Sequence, residues 1–280
     1  MFEIHSLKVG ELLVPEDGAL LLDPVYVWLV TDGKVRILID SGMPEIAELT
    51  RRLRVEGQGG GHAALRRALA SVQVEPDQID YVISTHLHFD HGSNLDLFPQ
   101  ACVVLQRDEL THAADPVPTQ RLYYFKEVPI GLLGRRRPRN LQLIDGDLDL
   151  LDGLRILKVP GHTPGMQVPI VTTVRGRAAL VSDLGDHYKN WYPADPRATR
   201  HPLNYLGDAF LPGSIRSESE RTYLESMRRA KSAADIVVPA HDTRIPMRMP
   251  RDWFDLPTAD QPEPPLIARA VVDRTASVRS

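Results

Sequence analysis

The sequence predicts a mixed α/β fold in which two β-sheets pack face to face with helices outside, an αββα sandwich with a site along one edge. Three observations predict it. Short apolar runs bounded by turn residues alternate with stretches of helical period. No repeat of fixed period and no low-complexity tract interrupts them. Finally, four successive strand patterns each end in a residue able to bind a metal, which places those residues where strand ends converge. The 280 residues, 42% of them apolar, are enough for a real core. One domain is expected over residues 1–250. A wrapping or loosely ordered extension is expected over 251–280, rich in Pro and then in Arg and Ser, with no period.

Taken in order, PVYVWLV, TDGK and VRILIDSG read as two strands joined by a tight turn, with Asp32-Gly33 supplying the positive φ values of a two-residue hairpin. EGQGGG reads as a Gly-rich break before HAALRRALASV, a helix. QIDYVIST reads as a strand running into STHLHFDHGSN. The same grammar returns in LRILKVPGHTPG, VPIVTTVRGRAALVSD, the helix SERTYLESMRRAKSA and the strand DIVVPAHD.

Charge and composition exclude several classes. The 33 basic residues nearly balance the 37 acidic ones, and a formal charge of -4 gives no attraction to a phosphate backbone. Nucleic acid is therefore not an expected partner, and the basic run RRRPR at 135–139 reads as a solvated loop. No basic segment followed by an apolar one opens the chain, and no stretch approaches the ~20 apolar residues that span a bilayer. A cytoplasmic protein without a membrane partner is expected, with a homo-oligomer left open. The one cysteine, Cys102, lies in the apolar run ACVVLQ and reads as a strand residue rather than a nucleophile.

The densest chemistry is in STHLHFDHGSN, where His86, His88, Asp90 and His91 occupy four of six positions. Along an extended segment residues two apart point the same way, so His86 and His88 present their imidazoles together, while Asp90 and His91 follow after the chain turns. One histidine near a strand end is ordinarily just hydrogen-bonded. Four such groups in one turn would each need a polar partner if buried, and a divalent cation satisfies them together.

At these residues the chain resembles the metallo-β-lactamase superfamily, whose H-x-H-x-D-H motif is matched from His86 to His91. The resemblance extends to His162 in GHTPG, Asp183 at the end of AALVSD and His241 in PAHD. It implies that His86, His88 and His162 hold one metal, that Asp90, His91 and His241 hold another, and that Asp183 and a hydroxide bridge them. Two divalent ions are implied, zinc first, with manganese, iron and cobalt compatible with the same donors. Asp40, in ILIDSG, matches an aspartate that orients a ligand from behind, a role shared with a plain turn cap.

The resemblance implies hydrolysis of a small-molecule substrate by hydroxide, with Asp90 also able to pass a proton to the leaving oxygen. Its closest likeness is to the N-acyl-homoserine lactonase group, through THLHFDHGSN, FPQACVVLQRDEL, VPGHTPGMQ and VVPAHD. A lactone or related ester is the expected substrate. The alternatives are a thioester, as in glyoxalase II, an activated aryl ether or halide, and a non-catalytic binding protein on the same fold. The chain departs from the best-known lactonases three residues after Asp183, where Asp186 replaces a tyrosine and His187 and Tyr188 follow. Tyr188 reads either as the residue that reaches the substrate carbonyl or as a wall residue, as Trp191 and Tyr192 do.

Overall fold

The computed structural model describes residues 1–16, 19–134, 140–199 and 201–245, so the RRRPR run and the expected extension over 251–280 lie outside the described residues. The first half of the chain forms β1 (Glu3–Glu16), β2 (Ala19–Thr31), β3 (Arg36–Ile39), α1 (Ile46–Leu53), β4 (Glu56–Gly59), α2 (Gly61–Ala70) and β5 (Tyr81–Ile83). It continues with the single helical turn α3 (Phe89–Gly92), then β6 (Cys102–Gln106), α4 (Arg107–Ala114), α5 (Glu127–Leu133) and β7 (Leu141–Ile144). Its strands make one sheet in the order β4-β1-β2-β3-β5-β6-β7. The second half contributes β8 (Leu148–Leu151), β9 (Leu154–Lys158), β10 (Gln167–Thr173), β11 (Gly176–Ser182), the turn α6 (Tyr188–Trp191), α7 (Glu220–Ala233) and β12 (Ile236–Pro239). They form a second sheet in the order β12-β11-β10-β9-β8.

Side-chain alternation converts these sheets into four layers. In β2, Tyr26, Trp28 and Val30 enter the layer between the sheets, where they meet Leu154, Ile156, Leu180 and Val238 of the second sheet. Val25, Val27 and Leu29 point the other way, into the layer shared with Leu49 of α1 and with Leu65 and Leu69 of α2. In β11 the same rule sends Leu180 between the sheets and Ala179 and Val181 toward α7. α7 answers with Tyr223, Met227 and Ala230, one stripe at helical spacing. Ser219 starts that helix by accepting a hydrogen bond from the Thr222 N–H at 3.1 Å. Each fully buried Val, Leu or Ile contributes roughly 1.5–3 kcal/mol, so the three apolar layers dominate the fold's stability. The αββα sandwich is therefore the observed architecture.

Two local expectations are corrected. The β2–β3 connection is longer than a two-residue hairpin, because Thr31 pairs with Arg36 and four residues lie between them. Gly33 alone takes positive φ, 87°. Asp32 instead accepts hydrogen bonds at Oδ1 from the N–H groups of Lys34 and Val35, both at 2.9 Å. The EGQGGG break is in part β4, an edge strand whose Gly57 pairs with Leu12 and Gly59 with Gly10 of β1. A Cβ on Gly57 would stand 2.1 Å from the Glu11 carbonyl oxygen, so glycine is what lets this strand approach.

Cys102 opens β6, half-buried against the layer between the sheets. Among the described residues, no helix is long and apolar enough to cross a membrane.

Candidate metal centre

The strands β3, β5 and β6 run parallel, as do β11 and β12. Their C-terminal ends carry the chemistry: Asp40 follows β3, His86 follows β5, Asp183 follows β11 and His241 follows β12. His162 lies in the loop after β9. Gln167 ties the two sheet edges together. Its N–H donates to the Thr85 carbonyl at 3.0 Å, and its side-chain amide donates to the Ser84 and Val104 carbonyls at 2.8 and 3.0 Å.

The histidine-rich segment changes conformation midway. His88 is still extended, with φ -61° and ψ 156°, and α3 begins at the next residue. The helical turn swings Asp90 and His91 away from the direction of His86 and His88. Two clusters result: His86, His88, His162 and Asp183, and Asp90, His91, His241 and Asp183, each with its ligand atoms within 4.8 Å of one another. Asp183 faces both. Its Oδ1 lies 3.1 Å from His91 Nε2 and 3.2 Å from His241 Nε2, while Oδ2 lies 3.3 Å from His162 Nε2 and 3.8 Å from His86 Nε2. Asp90 Oδ2 stands 3.7 Å from both His91 Nε2 and His241 Nε2. All seven sequence-expected ligand candidates are therefore brought together.

The residues fit divalent cations on their own geometry. His91 Nε2 faces His241 Nε2 at 3.2 Å, and His162 Nε2 faces His88 Nδ1 at 2.9 Å. His86 Nε2 and Asp183 Oδ1 are buried without a hydrogen-bond partner, which in a closed site costs roughly 1–3 kcal/mol each. Imidazole nitrogens and a shared carboxylate converging on two points are the donor set a pair of such ions would relieve.

Electrostatics separates the histidines. Burial pushes His86 and His88 well below the usual imidazole range, so both are neutral and carry a free lone pair. Burial opposes charge on His91 as well, but Asp183, Asp90 and Asp40 outweigh it and hold its pKa well above the ordinary value. His241 is likewise raised, to about 10, against its burial, by Asp23 and Asp183.

Supporting contacts reach the ligands from behind. Asp40, at φ 62°, accepts at Oδ2 from the His91 Nδ1–H at 2.8 Å and at Oδ1 from the Thr85 N–H at 2.7 Å. His241 donates its Nδ1–H to the Pro24 carbonyl at 2.8 Å. Both bonds leave Nε2 as the free nitrogen. Glu109, fully buried in α4, was silent in the sequence because no period or motif marks its role. Its carboxylate accepts from the Leu87 N–H at 2.9 Å, the Tyr124 hydroxyl at 2.8 Å and the Thr163 hydroxyl at 2.6 Å, bracing the loops of His86, His88 and His162. Gly165 allows this loop to seat, since a Cβ there would lie 2.1 Å from the Glu109 nitrogen.

The two clusters open into a cavity of about 730 Å³. His88, Asp90, His162, Asp183 and His241 line its polar floor, with Leu12, Val14, Leu21, Phe89, Leu211 and Ile215 around them. Tyr188 does not line it. Its ring is buried, with the Arg244 guanidinium 5.4 Å from the centroid, and its N–H donates to Asp242 Oδ2 at 3.0 Å. Neither Trp191 nor Tyr192 lines the cavity, contrary to their reading as wall residues: Trp191 is buried in the core beside α7, donating from Nε1 to the Gly185 carbonyl at 2.8 Å. The residues from this loop that do line the cavity are Asp186, His187, Lys189 and Asn190.

The Metallo-beta-lactamase superfamily pattern matches residues 20–241. An N-acyl homoserine lactonase of Bacillus thuringiensis is 33% identical over 186 residues, covering 64% of this chain and 69% of the relative. Metallo-beta-lactamase domain-containing protein 1 of Rattus norvegicus is 27% identical over 244 residues, covering 79% and 80%. Among solved structures, an N-acyl homoserine lactone hydrolase with N-hexanoyl-L-homoserine at its catalytic metal center superposes with a TM-score of 0.65 at 24% identity, covering 86% of this chain and 93% of that one. That likeness speaks for the fold.

Proposed function

This chain belongs to the metallo-beta-lactamase superfamily, near its N-acyl homoserine lactonases, and from that premise we propose that it is a dinuclear metal-dependent hydrolase opening a lactone or related ester. The observation that carries the reading is the shared Asp183, whose two oxygens face two histidine groups at the floor of one cavity. His86, His88 and His162 would hold one ion, Asp90, His91 and His241 the other, and Asp183 both. Zinc suits these imidazole and carboxylate donors best. A bound pair of divalent ions supplies a hydroxide nucleophile near neutral pH and stabilises the oxyanion of acyl transfer.

The chain's own residues do the rest. Asp40 and the Pro24 carbonyl fix the tautomers of His91 and His241, so each presents Nε2 to the centre. Asp90 lines the cavity with one carboxylate oxygen near both of those nitrogens, placed to hand a proton to the leaving oxygen. Leu12, Val14, Leu21 and Ile215 give the cavity an apolar side that suits an apolar substituent.

Assays of the purified, zinc-loaded protein on a lactone panel, a glutathione thioester and a methoxy- or chloro-nitroaromatic test the reading. Turnover is expected on lactones, and turnover confined to the thioester or the aromatic would overturn the substrate assignment.

A further inference from the structure

The cavity wall beside the ligand clusters carries a carboxylate that neither cluster uses. Asp186 lines the cavity, and its side chain is 39% exposed. Its Oδ1 faces His187 Nδ1 at 3.3 Å, and among the described residues nothing hydrogen-bonds to its Oδ2. The nitrogens of His187 are closed off by burial, whereas the Asp186 carboxylate is open to the space a substrate would enter. The Asp186 carbonyl accepts from the His241 N–H at 2.9 Å, so the backbone holds this residue beside a ligand loop through a bond in which its side chain takes no part.

The β1–β2 hairpin sets what lies beyond. Asp23 stands at the floor end, with Oδ2 3.8 Å from His241 Nδ1 and Oδ1 3.5 Å from the Nε2 of His187, the neighbour of Asp186. Asp23 pairs with Leu12 and Leu21 with Val14, so all four side chains share the face of the hairpin that lines the cavity. At ~3.4 Å per residue, Leu21 and Val14 lie about 7 Å farther along the arm than Asp23 and Leu12. Outward from the floor the wall therefore runs from carboxylate to hydrocarbon. A carboxylate accepts hydrogen bonds and donates none. A substrate hydroxyl would satisfy it but would end the molecule there. An amide nitrogen donates its N–H and also carries the chain onward to the apolar face.

Resting on the hydrolase reading above, we propose that Asp186 is a specificity-determining residue whose Oδ2 accepts a hydrogen bond from an N–H on the substrate carbon next to the scissile carbonyl. It thereby selects lactones that bear this donor over lactones of the same shape that lack it. The bond is charge-assisted and partly shielded from water, which places it among the stronger kind. A substrate without the donor leaves the carboxylate facing hydrocarbon, and that mismatch is what discriminates.

The test is steady-state kinetics of full-length, zinc-loaded protein on an N-acyl homoserine lactone and on its carba analogue, in which CH2 replaces the amide N–H, with zinc content and melting temperature measured alongside. The wild type should favour the amide by about tenfold or more in kcat/KM. Asp186→Ala should cut that ratio roughly tenfold, chiefly by raising KM for the amide, with two zinc ions retained. Asp186→Asn keeps an uncharged acceptor oxygen and should restore part of the ratio. The proposal is overturned if the wild type treats both lactones alike, if Asp186→Ala leaves the ratio within about twofold of wild type, or if Asn is no better than Ala. A wild type that opens neither lactone overturns the hydrolase reading, and this inference falls with it. An active wild type whose ratio is indifferent to Asp186 overturns this inference alone.

Discussion

The two candidate ligand clusters share Asp183 but are held in different ways. Around Asp90, His91 and His241, hydrogen bonds do the orienting: Asp40 fixes the outer nitrogen of His91 and the Pro24 carbonyl that of His241. Around His86, His88 and His162, packing does most of it. His88 lies with its ring centroid 4.7 Å from Tyr124 and 5.1 Å from Tyr123, and its Nε2 has no hydrogen-bond partner. His86 Nδ1 meets only the Thr85 hydroxyl, at 3.2 Å, and that hydroxyl also lies 2.8 Å from Asp40 Oδ2. One half of the centre is set by specific polar contacts, the other more by the packing of aromatic rings, so perturbations should separate them.

The largest effect should come from the residue both halves use. Asp183→Ala is expected to release both metals and to lower turnover by about a thousandfold or more, since ligand geometry and charge compensation go together. Elemental analysis beside kinetics checks it, and a variant keeping two metals and near-wild-type turnover would defeat the bridging role. Asp40→Ala should instead divide the halves. It removes the acceptor of His91 directly and reaches His86 only through the Thr85 hydroxyl, so affinity for one equivalent should drop by roughly 10- to 100-fold and the other by less. Chelator competition resolves the two steps, and equal weakening of both would mean the halves are not independent.

Acidity should sharpen the same contrast. In metal-free protein His91 is held well above the usual imidazole range and His241 is raised to about 10, so cations entering their group must displace protons. His86 and His88 are pushed down by burial and already neutral. Lowering the pH from 8 to 6 should therefore weaken one metal equivalent before the other, with protons released into the buffer on binding. Calorimetric titration in buffers of different ionisation enthalpy measures that release, and two equivalents that weaken in parallel would remove the distinction. The smallest effect is expected at Tyr188→Phe, whose ring lies behind the cavity wall. It should leave kcat/KM within about twofold, and a tenfold loss would bring Tyr188 back to the substrate.

Why some of this was legible in the sequence and some was not follows from where each signal resides. The segment from His86 to His91 carries its meaning locally: period-two geometry aligns His86 with His88, and the next helical turn presents Asp90 and His91 elsewhere. The β2 and β3 strands are legible because Asp32 and Gly33 mark a turn, although the pairing of Thr31 with Arg36, which sets its length, is visible only in the sheet. β4 was hidden because glycine signals a break locally, and only the close passage of β1 turns Gly57 and Gly59 into a strand. The role of Glu109 has no local signature, because it comes from partners up to 54 residues away in sequence, Thr163 the farthest. Tyr188 shows the converse, an aromatic residue near the right place in sequence whose helical turn directs it into the wall.

The claim on which the rest depends is that Asp183 joins two metal positions in one chain. Metal content of protein purified without chelator and exchanged into metal-free buffer tests it most directly. About two divalent ions per chain, falling to fewer than one in Asp183→Ala, is the expected result. A single equivalent supporting full turnover, unchanged by that substitution, would contradict it.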